Sequence, residues 1–389
     1  MKFNKTDAAL SLAFIVYAAT VVLVPISLLK MSEELSFTLS GGGALEAGRT
    51  ILLLFTLIIS SKAASLIGKG RTIALGLIIT SASLILAGFS NTYWGVMSLM
   101  FVIGFGTGFA EALINPLVHD NHPDDSSKYL NIVNAFFSLG VVVAVLISGF
   151  LLTIGISWRI LFIGLGIITL FPAFVLITAK KGSEESGQAT SLSHWIQCLK
   201  QPAFWLLALA IYLGAGCEAA FTFWSASYIQ LHFNALPSAA GIGTALFAGA
   251  MFTGRLLTGK FTRGHHYDRT LMLVASLCGI VVSLLAYRAE SIYLFYILLF
   301  AAGLTVAPHW ATIQAVSVKL VDGDPTLLFI LLSCAGISGF GSASWIMGLI
   351  GDSYGLQNSL LLIPAFFLLL SIVLFSLRWV GGSKPKNAV

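Results

Sequence analysis

Apolar stretches of about twenty residues recur along this chain, each closed by a short polar or glycine-bearing break. A helix needs roughly 20 apolar residues to cross a hydrocarbon core of about 30 Å. We count twelve such stretches: 8–30, 42–61, 71–89, 95–118, 128–153 and 158–178, then 202–231, 239–259, 270–287, 292–317, 326–350 and 356–378. With 57% hydrophobic and 10% charged residues, too little polar surface exists to coat a water-soluble fold of 389 residues. In lipid each segment must satisfy its own backbone, so all twelve are expected as helices. The first follows the short leader Met1 to Asp7 directly and reads as a membrane helix.

Lysine and arginine set the expected orientation. With the N-terminus inside, Lys2, Lys5, Lys62, Lys69, Arg71, Lys128, Lys180, Lys181, Lys200, Lys260, Arg263, Arg269, Lys319, Lys384 and Lys386 all fall inside. Only Lys30, Arg159 and Arg288 fall in outside loops. That asymmetry places both termini in the cytoplasm and the chain, as a multi-pass protein, in the plasma (inner) membrane. It accounts for the net charge of +5, and nucleic acid is not called for as a partner. The four cysteines show no paired spacing, so neither a disulfide framework nor a metal site is expected. Two inner histidine–aspartate groups, His119 to Asp125 and His265 to Asp268, lack metal spacing and read as loop or gate residues. The only sustained polar stretch, within 181–201, divides the chain into a bundle at 1–180 and another at 202–389.

Polar residues at membrane depth carry the functional reading. In the fourth span Gly104, Gly106 and Gly108 permit close helix approach, while Glu111 and Asn115, four apart, share a face. Glu111 is the candidate proton-coupling carboxylate. Glu46 and Arg49 lie three apart in the second span. They are either an internal ion pair, a pair left at the outer surface, or a substrate contact in which Arg49 receives an acidic group. Arg49 is the only arginine expected in the cavity. Asn131, Asn134 and Ser138 form one stripe of the fifth span, the last two deep enough to meet solute. In the seventh span Glu218 is a second candidate for protonation or hydroxyl binding, with Tyr212, Thr222, Trp224 and Ser225 interrupting the apolar run. Pro308 breaks the tenth span beside His309 and Trp310. His309 is a ligand donor, a proton relay or a packing histidine. Tyr17 in the first span completes the substrate-binding candidates.

The two halves echo each other: 106–116 resembles 303–308, and the second and eighth spans both end before a basic loop. Paired six-helix bundles with a site between them describe a secondary transporter. This pattern resembles the major facilitator superfamily: Gly254-Arg255-Leu-Leu-Thr-Gly259 is similar to its loop signature, though 61–71 lacks the Asp-Arg pair. Three stretches resemble its fucose–galactose–glucose:proton symporter family more narrowly. They are Gly106 to Pro116, Leu130 to Gly140, and Gly216-Cys217-Glu218 with the later Trp224. The resemblance implies proton-driven sugar uptake, with Glu111 as a protonation or sugar-binding carboxylate and Asn134 as a sugar ligand. The first span has no acid from Ala18 to Leu29, Phe137 stands where that family has a second asparagine, and Arg49 is additional. These departures extend the expected substrates to an anionic sugar derivative.

The expected protein is therefore an all-α membrane protein working as a monomer on a small solute and a proton, without a cofactor. Proton-driven drug or metabolite efflux is the alternative transport reading, although 138–149 lacks the proline of those exporters. A solute receptor that moves nothing is another. No nucleophile–base pair or nucleotide loop points to an enzyme.

Overall fold

The computed structural model describes residues 5–122, 126–178, 197–261, 268–323 and 325–380. At 126–132, 134–135, 259–261, 325–326 and 378–380 it describes the backbone alone. Twelve helices are long and apolar enough to cross a membrane. In chain order they are α1 (Lys5–Leu35), α2 (Leu39–Ile67), α3 (Lys69–Phe89), α4 (Tyr93–Asn121), α5 (Ser126–Thr153) and α6 (Trp158–Thr178). Then come α7 (Pro202–His232), α8 (Pro237–Phe261), α9 (Asp268–Tyr287) and the broken span α10 (Ile292–Val306) with α11 (His309–Leu320). α12 (Pro325–Tyr354), a single turn α13 (Leu356–Ser359) and α14 (Leu362–Val380) complete the chain. All twelve spans read from sequence are present. Several run longer, because α1 and α2 extend past the apolar core by a turn or more at their ends.

Every crossing reverses direction, so the start of α1 and the end of α14 lie on one side, called the terminal side below; the opposite side is the far side. Isoleucine and phenylalanine stripes such as Ile51, Phe55 and Ile58, or Ile160, Ile167 and Phe171, point outward and form the lipid-facing coat. Between helices lipid offers no hydrophobic gain, so small residues and polar bonds hold the spans together.

The glycines of α4 show how. Gly104 and Gly108, one turn apart, face α2, and a Cβ at Gly104 would run into the Arg49 carbonyl. Gly106 is turned by about half a circle and lies against Gly76 and Thr80 of α3. One helix thus accepts a neighbour on each side. Gly104→Ala is expected to cost about 1–3 kcal/mol through overpacking, read as a lower melting temperature of purified protein. Gly68, at φ 91°, alone joins α2 to α3: a left-handed backbone reverses the chain in one residue.

The two six-helix bundles repeat a fastening. Lys69 at the start of α3 pairs with Asp120 at the end of α4, at 2.5 Å. In the second bundle Asp268 at the start of α9 pairs with Lys319 at the end of α11, at 3.2 Å. The position is the same and the signs are exchanged. A further buried pair, His122 Nε2 with Asp7 Oδ2 at 2.9 Å, ties α4 to α1 on the terminal side. Asp120, His122 and Asp268 are therefore structural fastenings, His119 is exposed beside them, and no metal-binding group occurs among the described residues. His265, His266, Asp124 and Asp125 lie outside the described residues.

Candidate functional site

On the stripe of α4 that carries Gly104 and Gly108, the next polar positions on the terminal side are Glu111 and Asn115, seven and eleven residues on. They border a cavity of about 710 Å³ between the two bundles. The first bundle contributes Phe14, Tyr17, Val21, Arg49, Thr50, Leu53, Glu111, Asn115, Phe137 and Ser138. The second contributes Glu218, Phe252, Arg255, Trp310, Thr312, Gln314, Phe340 and others.

The cavity reaches the terminal side. Its wall continues to Thr258 in the last turn of α8, Asp268 at the start of α9 and Lys319 at the end of α11. On the far side the bundles meet. A Cβ at Gly348 or Gly43 would strike backbone of α2 or α12 respectively, and Gly149 lies against the Pro237 carbonyl. Asp352 of α12 accepts from the Leu39 and Ser40 amides at 2.8 and 3.0 Å, capping the start of α2 from the other bundle. The Ser238 amide donates to Thr153 Oγ1 at 2.8 Å across α8 and α5. A carboxylate at a helix N-terminus meets both unpaired amides and the positive end of the helix dipole. Asp352→Ala is expected to weaken far-side closure by on the order of 1 kcal/mol, since water competes at this exposed site. Spin labels on the α1–α2 and α12–α13 turns should report a larger fraction of separated bundles.

Charge in the cavity is nearly balanced by pairs. Arg49 makes a two-pronged contact with Glu46, Nε–Oε2 at 3.0 Å and Nη2–Oε1 at 2.5 Å, with both side chains almost wholly buried. Arg255 sits 3.3 Å from Glu218, and Lys319 holds Asp268 at the mouth. Glu111 differs: among the described residues no cation lies within ion-pairing distance of it. Its neighbour is Tyr17, whose hydroxyl interacts with both Glu111 and Arg49. Arg49 Nη1 is buried without a hydrogen-bond partner.

Of the residues expected from sequence, Tyr17, Arg49, Glu111, Asn115, Ser138, Glu218 and Trp310 come together around this space. Three do not. Glu46 stands behind Arg49 as its counter-ion, so the internal-pair reading describes its contacts. Trp224 is wholly buried, with Nε1 donating to the Ser344 carbonyl at 3.0 Å, and it faces α12 rather than the cavity. His309 is buried at the α10–α11 break. Its ring nitrogens lie 3.1 Å from the Val306 carbonyl and 2.9 Å from Ser276 Oγ, fastening the break to α9. Pro308 has no amide to continue the ladder, and at the break this histidine bonds the Val306 carbonyl. Thr222 and Ser225 are likewise buried away from the cavity. The Tyr212 hydroxyl bonds Ser342 at 2.6 Å. The Asn131 and Asn134 side chains lie outside the described residues.

Arg49 is not the only arginine in the cavity. Arg255 lines it from a position that the sequence reading assigned to a loop signature. The available signal was its place inside the eighth apolar stretch, where a charge needs a partner or water.

The model of the Major Facilitator Superfamily matches residues 9–287, about three quarters of the chain. The chain belongs to the major facilitator superfamily. It is accordingly a multi-pass membrane transporter, and not an enzyme. No curated protein sequence matches this superfamily member. Among solved structures it is similar to a bacterial homolog of the human lysosomal transporter Spinster in its inward-facing, unoccupied conformation. The TM-score is 0.82 at 16% identity over 98% of both chains. It is also similar to the nucleoside transporter NupG, with a TM-score of 0.82 at 13% identity over 96% of this chain and 100% of that one. The D-xylose–proton symporter gives 0.77 at 12% identity over 97% and 98%. At these identities the likeness is one of fold.

Proposed function

We propose that this protein is a secondary active transporter that takes up a sugar or an anionic sugar derivative by alternating access, coupled to protons through Glu111. The observation that carries the reading is the solitary carboxylate. Among the described residues, every other acid on the cavity wall has a basic partner, whereas Glu111 has a tyrosine. Counting Arg49, Arg255 and Lys319 against Glu46, Glu111, Glu218 and Asp268, one negative charge remains. Protonating Glu111 removes it, which lowers the cost of sealing the cavity from water. The solute wall supports a polyol: Asn115, Glu218, Thr312 and Gln314 offer hydrogen bonds around the half-buried ring of Trp310. Arg49 Nη1, unpartnered in this arrangement, supplies a donor for a hydroxyl or carboxylate.

In this reading both termini are cytoplasmic, the cavity faces the cytoplasm, and Asp352 on α2 keeps the outer side shut. Residues 1–180 and 202–389 rock as two bodies about the cavity, joined by 181–201, and a single chain suffices. The test is uptake by proteoliposomes under an inward proton gradient, using labelled hexoses and hexuronates. Accumulation that a protonophore abolishes supports the proposal. Gradient-driven expulsion of a lipophilic dye without any sugar flux would replace it by the efflux reading.

A further inference from the structure

α5 and α8 pack tightly at their far-side ends, where Gly149 lies on the Pro237 carbonyl and Gly241 on the Val145 carbonyl. Toward the middle of the membrane they separate. Gly249 is twelve residues into α8, and a Cβ built on it meets nothing within 4 Å. Around it lies a second cavity of about 330 Å³, lined by Phe136, Ser138, Leu139, Val142, Gly249 and Phe252. Among the described residues of that wall, every side chain but Ser138 is apolar. Ser138 and Phe252 line the central cavity as well, so the two spaces share a threshold. On the other side the slot borders lipid. Leu139 is 48% exposed, and Gly249 falls on the stripe of α8 that carries the exposed Ile242 and Thr253, neither of which lines the central cavity.

A water-soluble sugar has no use for such an opening. Apolar walls at membrane depth are favourable only to a hydrocarbon chain, at roughly 0.8 kcal/mol per buried methylene relative to water. The central cavity, by contrast, carries charged and hydrogen-bonding side chains that match a head of the polyol class. We propose that the slot between α5 and α8 is a lateral portal, in which the chain of a single-chain amphiphile passes to the bilayer while its sugar-like head occupies the central cavity. The inference rests on the proposed polyol site and extends its substrates to glycosides carrying an alkyl or acyl chain. The slot lets the tail stay in lipid while the head crosses, so no long apolar chain has to enter the aqueous cavity.

The test uses membrane vesicles holding the full chain and two photoreactive probes: dodecyl glucoside with a diazirine at the chain end, and the matching dodecanol. Cross-links are mapped by mass spectrometry. The glucoside is expected to label the segment 136–142 or 249–252 about tenfold more efficiently than dodecanol. Gly249→Leu places a side chain in the slot from a position where a Cβ meets nothing within 4 Å, and should remove most of that labelling. Gly164→Leu, at an equally open position on the lipid face of α6, should leave it intact. Equal labelling by both probes would mean that ordinary lipid chains fill the seam, and the portal is then rejected. It is rejected also if Gly249→Leu labels like the parent. Thermal stabilisation by methyl glucoside separates the two proposals: if it persists while the portal fails, the polyol site stands alone. If methyl glucoside does not stabilise and the dodecyl probe fails, both fall.

Discussion

Glu111→Gln is expected to exchange solute across proteoliposomes while losing the ability to concentrate it. Glutamine keeps the size and hydrogen-bonding capacity of a protonated carboxyl but cannot release the proton. The variant therefore mimics one state of the cycle, with the cavity's named charges balanced. One proton moving with each solute down a one-unit pH gradient supports about tenfold accumulation, since 1.4 kcal/mol is a factor of ten. In Glu111→Gln that ratio should fall to about 1, because no coupling free energy remains. Counterflow between equal solute pools should continue. The measurement is a pair of experiments on one preparation, gradient-driven uptake and counterflow. Accumulation that survives in the variant removes Glu111 from the coupling role. Loss of counterflow as well would point to binding instead.

Arg49→Ala should carry the largest cost in stability of any single change in the cavity wall. Arg49 and Glu46 are almost fully buried at membrane depth, and the pair satisfies most of their hydrogen-bonding groups. Removing one partner from a buried pair leaves an uncompensated charge, at about 3–5 kcal/mol. Replacing both by apolar residues of similar volume is far less damaging. A thermal unfolding series should therefore show Arg49→Ala well below the parent, with the Glu46→Leu/Arg49→Met double variant returning most of the loss. Solute-induced stabilisation then separates structure from binding. If Arg49 Nη1 meets solute, the refolded double variant stays blind to the ligand. If the double variant binds like the parent, Arg49 is only Glu46's counter-ion.

Much of this architecture is legible in the chain because lipid permits so few solutions. Apolar length gives the spans, and the 3.6-residue repeat puts Gly104, Gly108, Glu111 and Asn115 on one stripe. The same repeat makes Glu46 and Arg49 neighbours whatever surrounds them. It cannot tell which way a stripe faces once a helix is polar on more than one side. Trp224 and His309 illustrate the limit: each interrupts an apolar run as a ligand contact would, yet packing turns one toward α12 and the other toward α9. Arg255 was obscured differently, by a resemblance to a loop signature at a position inside a span. Asp352 lay just past the apolar run of its span, where a carboxylate ordinarily faces water. Its partners are two amides more than 300 residues away.

From the chain alone came the material: twelve crossings, two matched sets of six, and an acid in a helix whose glycines admit close neighbours. These follow from local rules, since each helix must satisfy its own backbone in lipid. The assembled bundles alone decided the rest: which polar faces converge, which charges neutralise one another, and which end of the cavity is open. Such outcomes depend on the rotation and tilt of helices against distant partners, and nothing within a single span specifies them.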